Sequence, residues 1–183
     1  MPMCDAFIPT GALEPDAEHA LVRRVTDLLV EHELRRITDL LDDPAAVKAS
    51  RDRARAIAWT FVHRTEVYVA GEVPAAPYYK FHVSIPQGQI DDVFREGIVG
   101  AVTDAVREIE AGRWPAIEAR VWVLTYEVPD GNWGGGGTNV HLRQIVDYVA
   151  PGLGEVAEQR WAAAQAEQAR TVIALADEQP ASA

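Results

Sequence analysis

A proline follows the first methionine, and the stretch that opens there, MPMCDAFIPTG, reads as a buried strand. Proline cannot donate to a sheet ladder, and the first residue of a strand is one of the few places that tolerate it. On that ground alone Pro2 is a strand-start residue without chemistry. Removal of Met1 changes this, because Pro2 then carries a free secondary amine. An α-amino group titrates at about 7.7–8.0, the lowest of the ordinary amines, and burial or nearby cations lower it further. A base tuned close to the working pH is the efficient one for proton abstraction. The chemistry expected of Pro2 is proton transfer, as general base or acid.

Other chemistries find less support. Cys4 lies on the same strand face as Pro2 by the period of two and is expected to be a small buried thiol. His19, His32, His63, His82 and His141 show no paired ligand spacing, so no metal is expected. No cofactor is expected either. The run GNWGGGG lacks the Lys-Ser/Thr of a phosphate loop. A net charge of −11 argues against nucleic acid or an anionic membrane as partner. No apolar run approaches the roughly 20 residues of a membrane span, and a single cysteine suits a reducing compartment, so the expected location is cytoplasmic.

The elements that must hold Pro2 emerge from an internal repeat. Shifted by 77 residues, the chain meets itself at nine identities in one register: Ile8, Pro9, Gly11, Val22, Val25, Thr26, Asp27, Glu31 and Glu33 fall on Ile85, Pro86, Gly88, Val99, Val102, Thr103, Asp104, Glu108 and Glu110. Strands are expected at Met3 to Pro9 and Tyr78 to Pro86, each closed by a Pro-x-Gly turn. Leu21, Val25, Leu28 and Leu29 then recur at helical spacing, with Pro15 in the first turn. In the second copy Phe94, Ile98, Val102, Ala105 and Ile109 do the same, with Asp91 as N-cap.

A second strand follows each helix, IAWTFVHR from Ile57 and RVWVLTYE from Arg120. Matching Trp59 to Trp122 drops the offset to 63, so the first copy carries a 14-residue insertion around LDDPAAVKASRDRAR. Each copy is a βαβ unit with two parallel strands. Residues 138 to 150 read as a short return strand or hairpin, and 155 to 176 as a helix from their Ala, Glu and Gln content. The expected divisions are 2–73 and 78–137 for the two units, 138–176 for the C-terminal hairpin and helix, and 177–183 for a frayed tail.

With the Met-Pro start and the tandem βαβ units, the segment EVPDGNWGGGG completes a resemblance to the tautomerase superfamily, typified by 4-oxalocrotonate tautomerase. Glu127, Gly131, Trp133, Gly134, Gly136 and Gly137 fall on the fixed positions of that family's Glu-x-x-x-Gly-x-aromatic-Gly-x-Gly-Gly segment, and the likeness covers roughly residues 2 to 137. It implies an α+β fold in which two tandem βαβ units form a four-stranded mixed sheet with two helices on one face. It implies that fused members are trimers, and that Pro2, freed of Met1, moves protons next to a carbonyl. In relatives the proline assists hydration, dehalogenation or decarboxylation.

The resemblance also suggests where a substrate would sit. The family's two substrate-binding arginines fall on Ala12 or Gln89 and on Trp59 or Trp122, so neither is kept. A bidentate clamp for a dicarboxylate is therefore missing, and dehalogenation is disfavoured. Gln89 and Trp122 suggest instead a small, flatter enol or ketone held by neutral hydrogen bonds, with Trp133 as a pocket wall. Arg120 heads the candidates for an electrophile facing the developing enolate, ahead of Lys80, His63 and Arg64. Tyr79 stands where the second copy would need its own Pro2, so one proline site is expected per chain. The leading function is keto-enol proton transfer. The alternatives are a proline-assisted hydratase, decarboxylase or cyclase, and a non-catalytic trimeric binding or scaffold protein.

Overall fold

A computed structural model describes residues 2–177. The chain builds β1 (Met3–Pro9), α1 (Pro15–Thr38), α2 (Pro44–Ile57), β2 (Trp59–Thr65), β3 (Tyr79–Pro86), α3 (Asp92–Glu110), β4 (Val121–Val128), β5 (Trp133–Gly135), β6 (Thr138–Val140), α4 (Leu142–Val149) and α5 (Gly154–Asp177), with a 3-10 turn at Ile117–Ala119 before β4. Four strands form one sheet in the order β2-β1-β3-β4. The pairs β1–β2 and β3–β4 are parallel, and β1–β3 is antiparallel. This is the expected α+β arrangement of two βαβ units side by side.

The repeat is visible in detail. Pro15 opens α1 and Asp92 opens α3, 77 residues apart. Thr26 and Thr103 each donate to the carbonyl four residues back, at 2.9 and 2.8 Å. Asp91 caps α3 by accepting from Phe94 N–H at 2.7 Å. α1 and α3 lie on one face of the sheet and share a core with it: Leu21, Val25 and Leu29 from α1, Phe94, Ile98 and Val102 from α3, and Cys4, Ala6, Ile8, Phe81, Val83 and Ile85 from the strands. Alternation does the sorting, since β1 and β3 bury every second residue under the helices.

Two segments depart from expectation. The inserted stretch is a helix, α2, of 14 residues, started by Pro44 and capped by Asp43 accepting from Ala45 N–H. The expected return strand ends early: the hairpin is β5–β6, and residues 142–149 coil into α4. Leu142, Ile145, Val146 and Val149 recur at helical spacing and are the residues buried. A capping box of His141 and Gln144 starts the helix.

These additions make a second apolar layer outside the repeat. Val30, Leu34 and Ile37 on the back of α1 pack with Ala54 of α2 and with Leu142, Val146 and Val149 of α4, and Ala157 and Trp161 of α5 close it. α5 therefore packs on its neighbours rather than lying free. The expected tail lies, from residue 178 on, outside the described residues. Among the described residues no helix is long and apolar enough to cross a membrane.

Candidate active site

Strand direction sorts the candidate residues into two ends. Pro2 precedes β1 and is buried, on the helix-covered face with Cys4. Its carbonyl accepts from Trp59 N–H at 3.4 Å. Met3 pairs with Trp59 on one side and with Ser84 on the other, so Pro2 stands where β2 begins and β3 ends. The turn that leaves β3 forms the rim here. Gly88 has φ +88°, a left-handed conformation that glycine adopts at little cost. Its N–H donates to Glu127 at 2.8 Å, and Gln89 N–H donates back to Pro86 at 3.3 Å. The motif glutamate Glu127, itself exposed, thus holds the turn.

Gln89 is 8 % exposed. What covers the turn is Trp161 of α5, whose indole lies so close that a Cβ on Gly88 would come within 1.8 Å of it. Arg36, Ile37, Leu40, Leu142 and Arg160 line a small cavity beside Gly88, Gln89 and Trp161. Trp161 had no signal in the sequence, because α5 lies outside the repeat and outside the motif.

Trp133 occupies the opposite face at the same end. It is 6 % exposed and borders a cleft with Met3, Phe61, Ser84 and Val128. The glycines after it permit the tight return into β6: Gly136 and Gly137 have φ +60° and +81°. Asp130 ties this loop to α4, accepting from His141 Nδ1 at 2.8 Å and from Leu142 N–H at 2.7 Å. Burial alone would raise the Asp130 carboxyl, but these hydrogen bonds outweigh it and hold the pKa below the usual carboxylate range.

Pro2, Gln89 and Trp133 therefore share one end of the sheet, and Arg120 and Trp122 belong to the other. Trp122 pairs with Lys80 near the start of β4. Six residues separate it from Val128, about 20 Å of strand. Trp122 is 64 % exposed on the helix-free face. Arg120 is 3 % exposed, and all its donors are engaged. It forms a two-pronged pair with Glu110 at 2.8 and 2.6 Å and donates to the carbonyls of Pro115, Pro77 and Trp114. The Glu110 hydrogen bonds keep it charged. No donor is left over for an enolate.

The other candidates have partners too. Lys80 Nζ lies 4.2 Å from the centre of the Phe7 ring, His63 meets Asp5 at 2.6 Å, and Arg64 pairs with Glu18. Cys4 is fully buried, and burial with the nearby Asp5 pushes its thiol up to about 12, out of the nucleophilic range. Among the described residues, no group of three His, Cys, Asp or Glu side chains is arranged to hold a metal ion.

No protein-family model and no curated protein matches the chain by sequence. Solved structures do match by shape. One is Pt0534 inactivated by 2-oxo-3-pentynoate, 18 % identical, over 75 % of this chain and 94 % of that one, with a TM-score of 0.55. A fused 4-OT wild-type symmetric trimer is 19 % identical, over 82 % and 98 %, at 0.54. N1, a member of the cis-3-chloroacrylic acid dehalogenase family, is 14 % identical, over 84 % and 87 %, at 0.53. The chain has the tautomerase-superfamily fold. More particularly, it has the fused form of that fold, with two βαβ units in one chain.

Proposed function

We propose that the protein, after loss of Met1, is a tautomerase-like isomerase in which the Pro2 amine moves a proton on a small enolisable carbonyl compound. The observation that carries this reading is the position of Pro2: buried at the head of β1, beside the Gln87–Gln89 turn, in a tautomerase-superfamily fold. A buried secondary amine in a fixed ring can abstract a proton next to a carbonyl and return it to the other end of the enol. Gln89 orients the substrate by neutral hydrogen bonds, and Trp133 contributes an aromatic wall. Neither Ala12 nor Gln89 offers the cation that would select a dicarboxylate.

Assembly follows from the helix-free face. Trp59, Phe61, Trp122 and Tyr126 all stand on it, 47 to 64 % exposed. So large an exposed aromatic surface suits contact with other copies, and a trimer is the assembly named for one of the similar structures. Trp122 reaches a Pro2 site only from a neighbouring copy. Arg120, with its donors spent on Glu110 and the backbone, is part of the framework. A chain with one cysteine and this negative charge fits the cytoplasm.

The loss of both family arginines, with Trp161 closing the turn, favours one other reading, a non-catalytic trimeric binding protein. One experiment separates the two. Intact mass measurement establishes whether Met1 is gone, and incubation with 2-oxo-3-pentynoate, whose alkyne is activated by the ketone, tests for a nucleophilic amine. The proposal expects a processed N-terminus and, at a pH high enough to free the amine, a single adduct on Pro2, with enol turnover abolished. A processed but unlabelled chain with no turnover of any enol supports the binding protein instead.

A further inference from the structure

Glu33 and Glu110 occupy one position of the repeat, 77 residues apart, and both are buried, at 3 % and 6 % exposure. A buried carboxylate is costly unless charge or hydrogen bonds meet it. In the second copy the answer is visible. Tyr79, the counterpart of Pro2, heads β3, its N–H donates to the carbonyl of Arg120 at 2.7 Å, and the Arg120 guanidinium is paired with Glu110. Burial and the Glu110 carboxylate together push the Tyr79 phenol above its ordinary pKa, so the three residues form one electrostatic group. In the first copy the counterpart of Arg120 is Ile57, at the 63-residue offset, and the counterpart of Tyr79 is Pro2.

Helix geometry places Glu33 without appeal to the repeat. Thr26 Oγ1 lies 3.1 Å from Thr60 Oγ1, and Thr60 pairs with Cys4. Glu33 is seven residues on, on the same face of α1 to within about 20°, and roughly 10 Å nearer its C-terminus. Pro2 lies two residues before Cys4, about 7 Å in the same direction. The Arg35–Asp91 pair at 2.8 Å confirms that this end of α1 meets the turn after β3. Glu33 thus stands over the start of β1.

We infer that Glu33 is the counter-charge of the Pro2 amine, a positioning residue that keeps the amine protonated at rest. The inference rests on the proposed free N-terminal proline. A resting ammonium begins the cycle as the acid. It gives its proton to the enol carbon, the carbonyl forms as the enol O–H bond breaks, and that proton returns to the amine. No electrons are lost or gained, and the ketone is the product. The substrates that suit such a site arrive as enols rather than ketones.

The remaining charged groups at this end have other placements. Arg35 pairs with Asp91, Arg55 of α2 with Asp27, and Glu127 of β4 holds Gly88 N–H. His32 lies edge-on to Phe94 with its pKa lowered, by burial first, and Arg36 and Arg160 border the cavity beside Gln89. Glu33 is the carboxylate that the repeat directs to Pro2.

The test is a titration of the Pro2 amine in the full-length processed protein, by reductive methylation across pH with mass-spectrometric readout of the N-terminal peptide. The wild-type midpoint is expected above the ordinary α-amino range of about 7.7–8.0. Glu33→Gln is expected to lower it by about one unit or more, and Glu33→Asp, which keeps the charge, by less. A wild-type midpoint at or below that range overturns the inference, and it does so even if Glu33→Gln fails to fold. So does an unchanged midpoint in a folded Glu33→Gln protein. If either occurs while Pro2→Ala abolishes turnover, proline catalysis stands and Glu33 falls alone. A retained Met1 overturns both.

Discussion

The two ends of the sheet are built from the same repeat and carry different residues at their strand heads. At the Tyr79 end the helix glutamate is locked: Glu110 holds Arg120, and Arg120 ties together Pro77, Trp114 and Pro115. Every donor is spent, and the residue at the strand head is an ordinary tyrosine within the chain. At the Pro2 end the glutamate is retained, the arginine is Ile57, and the strand head is the residue that can become an amine. The lesson is that a buried carboxylate is kept in both copies while the arginine position changes from Arg120 to Ile57. The turns diverge as well. Gly11 and Gly88 are equivalent and both left-handed, at φ +75° and +88°. Only Gly88 is pressed by an added element, through Trp161.

The largest expected effect falls on the Pro2 end. Pro2→Ala is expected to cut turnover of an enol substrate by about 10²–10⁴-fold, the span of a general acid–base group, while the circular dichroism and melting temperature stay close to wild type. A variant with full turnover would make the two ends equivalent in function and break the comparison.

The locked end is expected to respond in stability instead. Arg120→Met leaves Glu110 buried without its cation and is expected to destabilise the fold by about 3–5 kcal/mol, read by denaturant titration. The double variant Arg120→Met with Glu110→Leu should recover much of that loss, because an apolar pair carries no desolvation cost. If the single substitution were as mild as an exposed arginine replacement, the lock would not exist.

A smaller difference separates the two turns. Gly11→Ala meets open space and carries only the left-handed backbone penalty, about 1–2 kcal/mol. Gly88→Ala carries the same penalty and must also displace Trp161. It is expected to cost more than Gly11→Ala and to raise amide exchange in α5. Equal melting temperatures for the two variants would mean that α5 does not bear on the rim of the Pro2 site.

The smallest effect concerns the loop that carries Trp133. Asp130→Asn weakens two hydrogen bonds to α4 and is expected to cost about 1 kcal/mol. The wild-type carboxyl is held below its unfolded value, so its contribution is fully present above the unfolded pKa. It fades as the pH falls through the lower, folded pKa. The gap between wild type and variant should therefore close in acid, and a gap that widens there would reverse the assignment.

The βαβ units were legible because repeat and periodicity agreed: β1, α1, β3 and α3 lie where the pattern put them, with Asp91 as cap. α2 was legible only as an insertion. It buries just Ser50 and Ala54, so its apolar stripe is too thin to announce a helix. α4 lay inside the stretch read as a return strand or hairpin, because its apolar stripe spans only eight residues and what buries it is packing against α1 and α2. The motifs singled out Gln89 and Trp133, which the structure puts at the Pro2 end of the sheet, whereas the relation of Trp122 and Arg120 to Pro2 was not legible. Both were chosen by their position in the second copy, and only strand direction reveals that this position is at the far end.

The sequence by itself determined the repeat, the strand–helix–strand order within each unit and a proline at the head of β1, because these rest on local spacing and on identities between copies, whereas the mixed sheet came only from the resemblance. Tertiary structure alone decided which residues share an end, that Arg120 is consumed by Glu110, that Glu33 is buried, and that Trp161 covers the Gly88 turn. Those facts depend on which strands lie side by side and on what a late helix packs against, and neither is carried by any local pattern of residues.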